Sequence, residues 1–198
     1  MSATFNEADR FLIERWVDAR ELETGMESLQ KKYEGLLDQV IDALKKREWW
    51  EAANFRTYVK GLRGCLGFGR KSWGGDPDDF VGLWFDDLKL DNLLIETEPL
   101  PVAYLWLRPL KRTGADRDAV LGRISKMAEG PLKQLPRRID DDHNFAFCHR
   151  LSETRKEIAG TLLSDGGQSF VEFLLSHFDR LALLIPAVDA VVGKAMRN

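Results

Sequence analysis

The apolar residues of this chain change their repeat twice, and that change constrains the fold more than any single motif. Met26, Leu29, Tyr33, Leu36 and Val40 are separated by steps of three and four, which places them along one side of a helix. In the middle of the chain, from Cys65 onward, apolar residues alternate with a period of two, the spacing of a strand with one buried face. Beyond Ser152 the spacing returns to three and four. Helical ends around a strand-period centre imply an α+β fold. The expectation is a mainly antiparallel sheet of four to five strands across about residues 64–151, flanked by N-terminal and C-terminal helices. It forms a single domain over residues 1–198, with 1–60 a helical part packing on the core or extending from it.

Within that frame, Asn6 opens a first helix whose stripe is Leu12, Ile13, Trp16 and Val17. Thr24 and Glu27 have the spacing of a capping box, so Thr24 is expected to start a second helix. That helix carries the Met26–Val40 seam and is read as continuing through "KKREWW" into "FRTYVKGLR". The seam packs on the core, with an intermolecular coiled coil as the alternative. "CLGFGRKSW", "FVGLWFD", "NLLIETE", "PVAYLWLRPL" and "NFAFCHRL" are the strand candidates. A helix at "GADRDAVLGRISKMAEG" lies between the last two, and helices over 152–164 and 168–185 follow.

Composition excludes more than it selects. The 198 residues carry a net charge of −3, so the molecule as a whole does not attract nucleic acid or anionic membranes. The start, "MSATFNEADR", lacks the pattern of a secretory leader. The apolar run inside Phe170–Val192 is interrupted by His177, Asp179, Arg180 and Asp189, which speaks against a membrane span. Cys65 and Cys148 belong to no CxxC pair, and a cytoplasmic protein with reduced thiols is expected.

The glycines of "RGCLGFGRKSWGG" suggest a phosphate loop. Gly64 and Gly69 have the separation of GxxxxGK[ST], but Arg70 stands at the lysine position and "WGGDPDD" cannot begin a helix. The stretch reads instead as a strand whose glycines make room for Trp84 or Trp106 on a neighbouring strand. An open aromatic face including Trp84, Tyr104 and Trp106 would alternatively stack unpaired bases.

Asp78, Glu96 and Glu98 approach the PD…(D/E)xK pattern of metal-dependent nucleases if strands 80–86 and 92–98 pair as a hairpin around Asp87–Asp91. Glu98 then occupies the lysine position, so turn acids are the simpler reading. His149 and Cys148 are adjacent on a strand and point to opposite faces, so they do not share a zinc ion, and His143 sits in an acidic turn. No metal or cofactor is expected.

Charge distribution is the positive lead. Residues 76–98 hold eight acids against Lys89 alone, a net of −7, while 108–138 hold nine bases against three acids, a net of +6. These segments face each other or are simply solvated, or one of them steers a partner of opposite charge. The resulting expectation is a non-enzymatic, protein-interacting accessory or regulatory subunit. Its contact residues are the basic set Arg108, Lys111, Arg112, Arg123 and Lys126, together with Met26, Leu29, Tyr33 and Leu36. The partner is another protein or a second copy, not a membrane. The alternative is a protein acting on nucleic acid, through Asp78, Glu96 and Glu98 or through the aromatic face.

Denying the phosphate loop has a direct check. Titration of ATP or GTP into the protein is expected to give no heat by calorimetry. Micromolar binding that disappears in Lys71→Ala would restore the loop.

Overall fold

A computed structural model describes residues 6–51, 55–60, 64–70, 73, 81–98, 100–107, 145–150, 153–186 and 188–190. Two helices lead the chain, α1 (Glu7–Glu14) and α2 (Trp16–Leu44), followed by the short α3 (Glu48–Glu51). Asn6 caps α1 reciprocally. Its side chain accepts from the Asp9 backbone at 3.0 Å, and the Asp9 carboxylate accepts from the Asn6 N–H at 2.8 Å. Arg15, at φ −112° and ψ 25°, separates α1 from α2.

The expected helix start at Thr24 does not occur. Thr24 lies inside α2, and its hydroxyl donates to the Arg20 carbonyl one turn back, at 2.9 Å. Neither extended backbone nor a helix breaker precedes it, so the hydroxyl turns inward on the helix rather than capping one.

The chain is α+β, as its periodicity implies. Strands β1 (Phe55–Lys60), β2 (Cys65–Arg70), β3 (Val81–Asp86), β4 (Val102–Leu107) and β5 (Phe145–Arg150) lie side by side in chain order, each antiparallel to the next. Two segments differ from expectation. "FRTYVK" is β1 rather than the tail of a helix, so the first 60 residues are not wholly helical; Phe, Thr, Tyr and Val favour a strand beside β2. "NLLIETE" supplies helix α4 (Leu90–Leu94) and an exposed turn, not a strand. The partner of β3 is β4, so no hairpin closes around Asp87–Asp91.

Leu66, Phe68, Leu83, Phe85 and Ala103 are buried on one sheet face. Helix α2 and helix α6 (Gln168–Ala182) cover it. Phe178 sits 5.4 Å from Phe68 and 5.7 Å from Phe85, while Tyr33 of α2 meets Phe170 of α6 at 5.6 Å. Trp49 and Trp50 close over Phe68 at 5.0 and 5.4 Å.

Helix α5 (Arg155–Leu163) precedes α6 and starts with a capping box between Thr154 and Glu157. The link between them needs glycine at Gly167. Its φ is +91°, and a Cβ there would stand 2.5 Å from Leu36 Cδ1. Two aspartates of the C-terminal helical segment each hold an arginine and an indole. Asp179 accepts from Arg47 at 2.8 Å and Trp49 at 3.1 Å; Asp189 accepts from Arg70 at 2.6 Å and Trp73 at 2.7 Å.

On the other sheet face, Gly67 lies opposite Trp84 on β3. A Cβ at Gly67 would be 2.4 Å from the Trp84 ring, and Trp84 is only 4% exposed. The glycine therefore makes room for an aromatic ring, as read from the sequence. Gly67→Val is expected to destabilise the protein by about 1–3 kcal/mol, the scale of overpacking, measured as a lowered urea midpoint. An unchanged midpoint would mean that the ring moves aside without cost.

Candidate functional site

The seam of α2 changes character along its length. Val40, Leu37 and Tyr33 are buried, Leu36 is partly buried against the core, Leu29 is 48% exposed and Met26 is 62% exposed. Leu22, one turn before Met26, extends the same stripe and is also exposed. The expected packing of the seam therefore holds only for its C-terminal half. Met26 and Leu29 lie on the N-terminal side of Tyr33, whose ring meets Phe170 near the start of α6. Ile13, Trp16 and Val17, from the apolar stripe expected of the first helix, are exposed as well, and so is Phe11.

Where the stripe meets the body it forms the wall of a half-open groove of about 480 Å³. Helix α2 contributes Leu29, Lys32, Tyr33, Leu36 and Gln39. Leu90 and Leu94 of α4 form the second wall, and Ala159, Leu162 and Leu163 of α5 form the third. Gly35 leaves its side of α2 open, since nothing stands within 4 Å of where its Cβ would be. The lining is mainly apolar, with the Lys32 ammonium and the Gln39 amide as its polar groups. Its lining side chains include no Ser, Cys, His, Asp or Glu.

Tyr33 anchors the groove to the fold. Its hydroxyl donates to the Leu88 carbonyl at 2.6 Å in a buried bond. Burial pushes that hydroxyl far above the ordinary tyrosine range, because the phenolate would lose its hydration. Of the four seam residues expected to meet a partner, Met26 and Leu29 are available, Leu36 is available in part, and Tyr33 belongs to the core.

Other sequence candidates fall elsewhere. Arg108, Lys111, Arg112, Arg123, Lys126, Asp78 and His143 lie outside the described residues. Glu96 and Glu98 stand in the exposed turn after α4, where their backbone carbonyls accept from Arg155, Glu96 at 3.1 Å. The same guanidinium reaches the Asn92 carbonyl at 3.2 Å, so Arg155 ties this turn to α5. Burial and then the neighbouring charge of Asp86 raise the pKa of Asp87, with Glu98 adding to the shift and Lys89 opposing it. Among the described residues no group of three His, Cys, Asp or Glu is placed to hold a metal ion. The Trp84 ring is buried against Gly67 and presents no open stacking surface.

The groove itself was not read from the sequence, since it arises from three helices far apart in the chain. Part of the signal lies at the start of "NLLIETE": Leu90, two residues before it, and Leu94 within it are four residues apart, a helical spacing that crosses into a stretch expected as a strand. Among the described residues no helix is long and apolar enough to cross a membrane. No family model matches the chain, and neither the curated proteins nor the solved structures yield a significant match.

The Tyr33 hydroxyl carries a pH dependence whose sign is fixed. Below about pH 10 the phenol is neutral in both folded and unfolded chains. Above that value the unfolded chain releases the proton while the folded chain retains it, so stability falls as pH rises. Tyr33→Phe is expected to cost about 1–2 kcal/mol at pH 7, by leaving the Leu88 carbonyl unpaired, and to flatten the alkaline decline. Urea denaturation between pH 7 and 11 tests both effects. Equal alkaline slopes in the two proteins would contradict this assignment.

Proposed function

We propose that this chain is a non-enzymatic protein-interaction module, an accessory or regulatory subunit of a cytoplasmic complex. The observation that carries this reading is the apolar stripe Leu22–Met26–Leu29, exposed on α2 and continuous with the groove at Leu29 and Leu36. Large apolar side chains in a row on one helix face, ending at an apolar concavity, suit recognition of an amphipathic helix. An isolated exposed leucine would need no explanation; a stripe that runs into a groove does. The basic set Arg108, Lys111, Arg112, Arg123 and Lys126 is a further contact region in this reading, supported by local charge alone.

The test is affinity capture from native extract, with the intact chain and a Leu22→Glu/Met26→Glu variant as baits. Both positions are exposed, so the variant is expected to fold with an unchanged circular dichroism spectrum. The wild-type bait is expected to retain a protein in stoichiometric amount, resistant to nuclease treatment, and the variant to lose at least nine-tenths of it. Capture of nucleic acid alone, or equal protein capture by both baits, would overturn the proposal.

A further inference from the structure

We infer that the groove between α2, α4 and α5 binds a small carboxylate with an apolar tail, of the medium-chain fatty acid class. The acid group meets Lys32 and the tail lies between the three walls. This site is separate from the exposed part of the stripe, since Leu22 and Met26 lie outside its lining.

The groove has the form of a small-molecule site. Its volume of about 480 Å³ falls within the range of roughly 300–1,000 Å³ usual for such sites. Each wall leaves one leucine uncovered at the rim: Leu29 and Leu94 are 48% exposed, and Leu163 is 88% exposed. A single exposed leucine is ordinary, but three from three helices surround one space that a single apolar body covers. Small residues keep that space open. Gly35 and Gly166 line it, and nothing stands within 4 Å of where a Cβ on either would be.

Charge selects the head group. Lys32 is the charged side chain of the lining. The residues one turn to either side of it on α2, Ser28, Leu29, Gly35 and Leu36, carry no charge. Among the described residues no acid pairs with it. Asp91 and Asp165 adjoin the lining residues Leu90 and Gly166 in sequence but do not line the groove, and Asp165 accepts from the Ser169 hydroxyl at 3.1 Å. The Tyr33 hydroxyl is committed to the Leu88 carbonyl. A cation without a counter-ion beside an apolar hollow matches a carboxylate on an apolar tail, whereas an ammonium head would be repelled. Gln39, the other polar side chain, is seven residues from Lys32. That is about 10 Å along α2, a length suited to a tail of about eight to ten carbons.

The experiment is isothermal titration of decanoate, decanol and decyltrimethylammonium into the full chain. Decanoate is expected to bind with a Kd on the order of 10 μM, and the other two at least tenfold more weakly. Lys32→Met keeps the apolar stem without the charge, so it should weaken decanoate about tenfold and leave decanol unchanged. Gly35→Leu fills the hollow from a helical position that leucine favours, so it should abolish decanoate binding without lowering the melting temperature. Absence of decanoate binding, equal affinity for decanoate and decanol, or decanoate binding unchanged in Lys32→Met overturns the inference. Undiminished binding by a folded Gly35→Leu places the ligand elsewhere and overturns it too. The capture experiment with Leu22 and Met26 is independent of either result, because neither residue lines the groove.

Discussion

Phe178 sits between Phe68 and Phe85, and the rest of the core is arranged around that contact. It places α6 across the centre of the sheet, on strands β2 and β3. With α6 fixed, Phe170 receives Tyr33 of α2, and the Tyr33 hydroxyl reaches the Leu88 carbonyl between β3 and α4. Three layers of sequence far apart in the chain thus meet at one aromatic row. Aromatic side chains bury large areas with few rotatable bonds, so this row contributes much of the non-directional driving force and also fixes orientation. Asp179 and Asp189 then act at the margins. Each gathers an arginine and an indole, which fixes the helical segment to the α2–α3 connection and to the end of β2.

Much of this was legible in the sequence, because period reports which side of an element faces the core. The alternation through "CLGFG" and "FVGLWF" groups Leu66 with Phe68 and Leu83 with Phe85, the faces that the fold buries, and the strand glycines signal the close approach that Trp84 makes to Gly67. What failed was local punctuation. Thr-x-x-Glu occurs at Thr24–Glu27, inside a helix, and at Thr154–Glu157, where it caps one. The difference lies upstream: Thr154 has extended backbone, whereas Thr24 follows two turns of helix that its own sequence favours. "FRTYVK" and "NLLIETE" exchanged types for a related reason. A six-residue apolar segment satisfies either period, and the neighbouring strand decides between them.

The functional surface was legible in part for a different reason. A heptad seam states that one side of α2 is apolar, but not how far the body extends beneath it. Met26 and Tyr33 have the same standing in the pattern, yet one is open and the other buried. Two of the three acids that resemble a metal site have a described setting. Glu96 and Glu98 hold a turn whose carbonyls satisfy Arg155, and their carboxylates face solvent. A guanidinium with five donors is well suited to collecting carbonyls at a helix end.

The uneven burial of α2 has a consequence for how that helix exists at all. Starting a helix is costly, whereas lengthening one is nearly free for each residue added. The segment from Tyr33 to Leu44 is held helical by tertiary contact, so it provides the nucleus, and the residues before it propagate from that nucleus. Gly25 lies in this propagated part and lowers its stability by about 1 kcal/mol relative to alanine. Nothing in the fold demands a glycine there, as the space around it is open. The core therefore holds α2 only from Tyr33 onward, and the turns before Gly25 keep their form through their own backbone hydrogen bonds and side-chain pairs such as Arg20–Glu23.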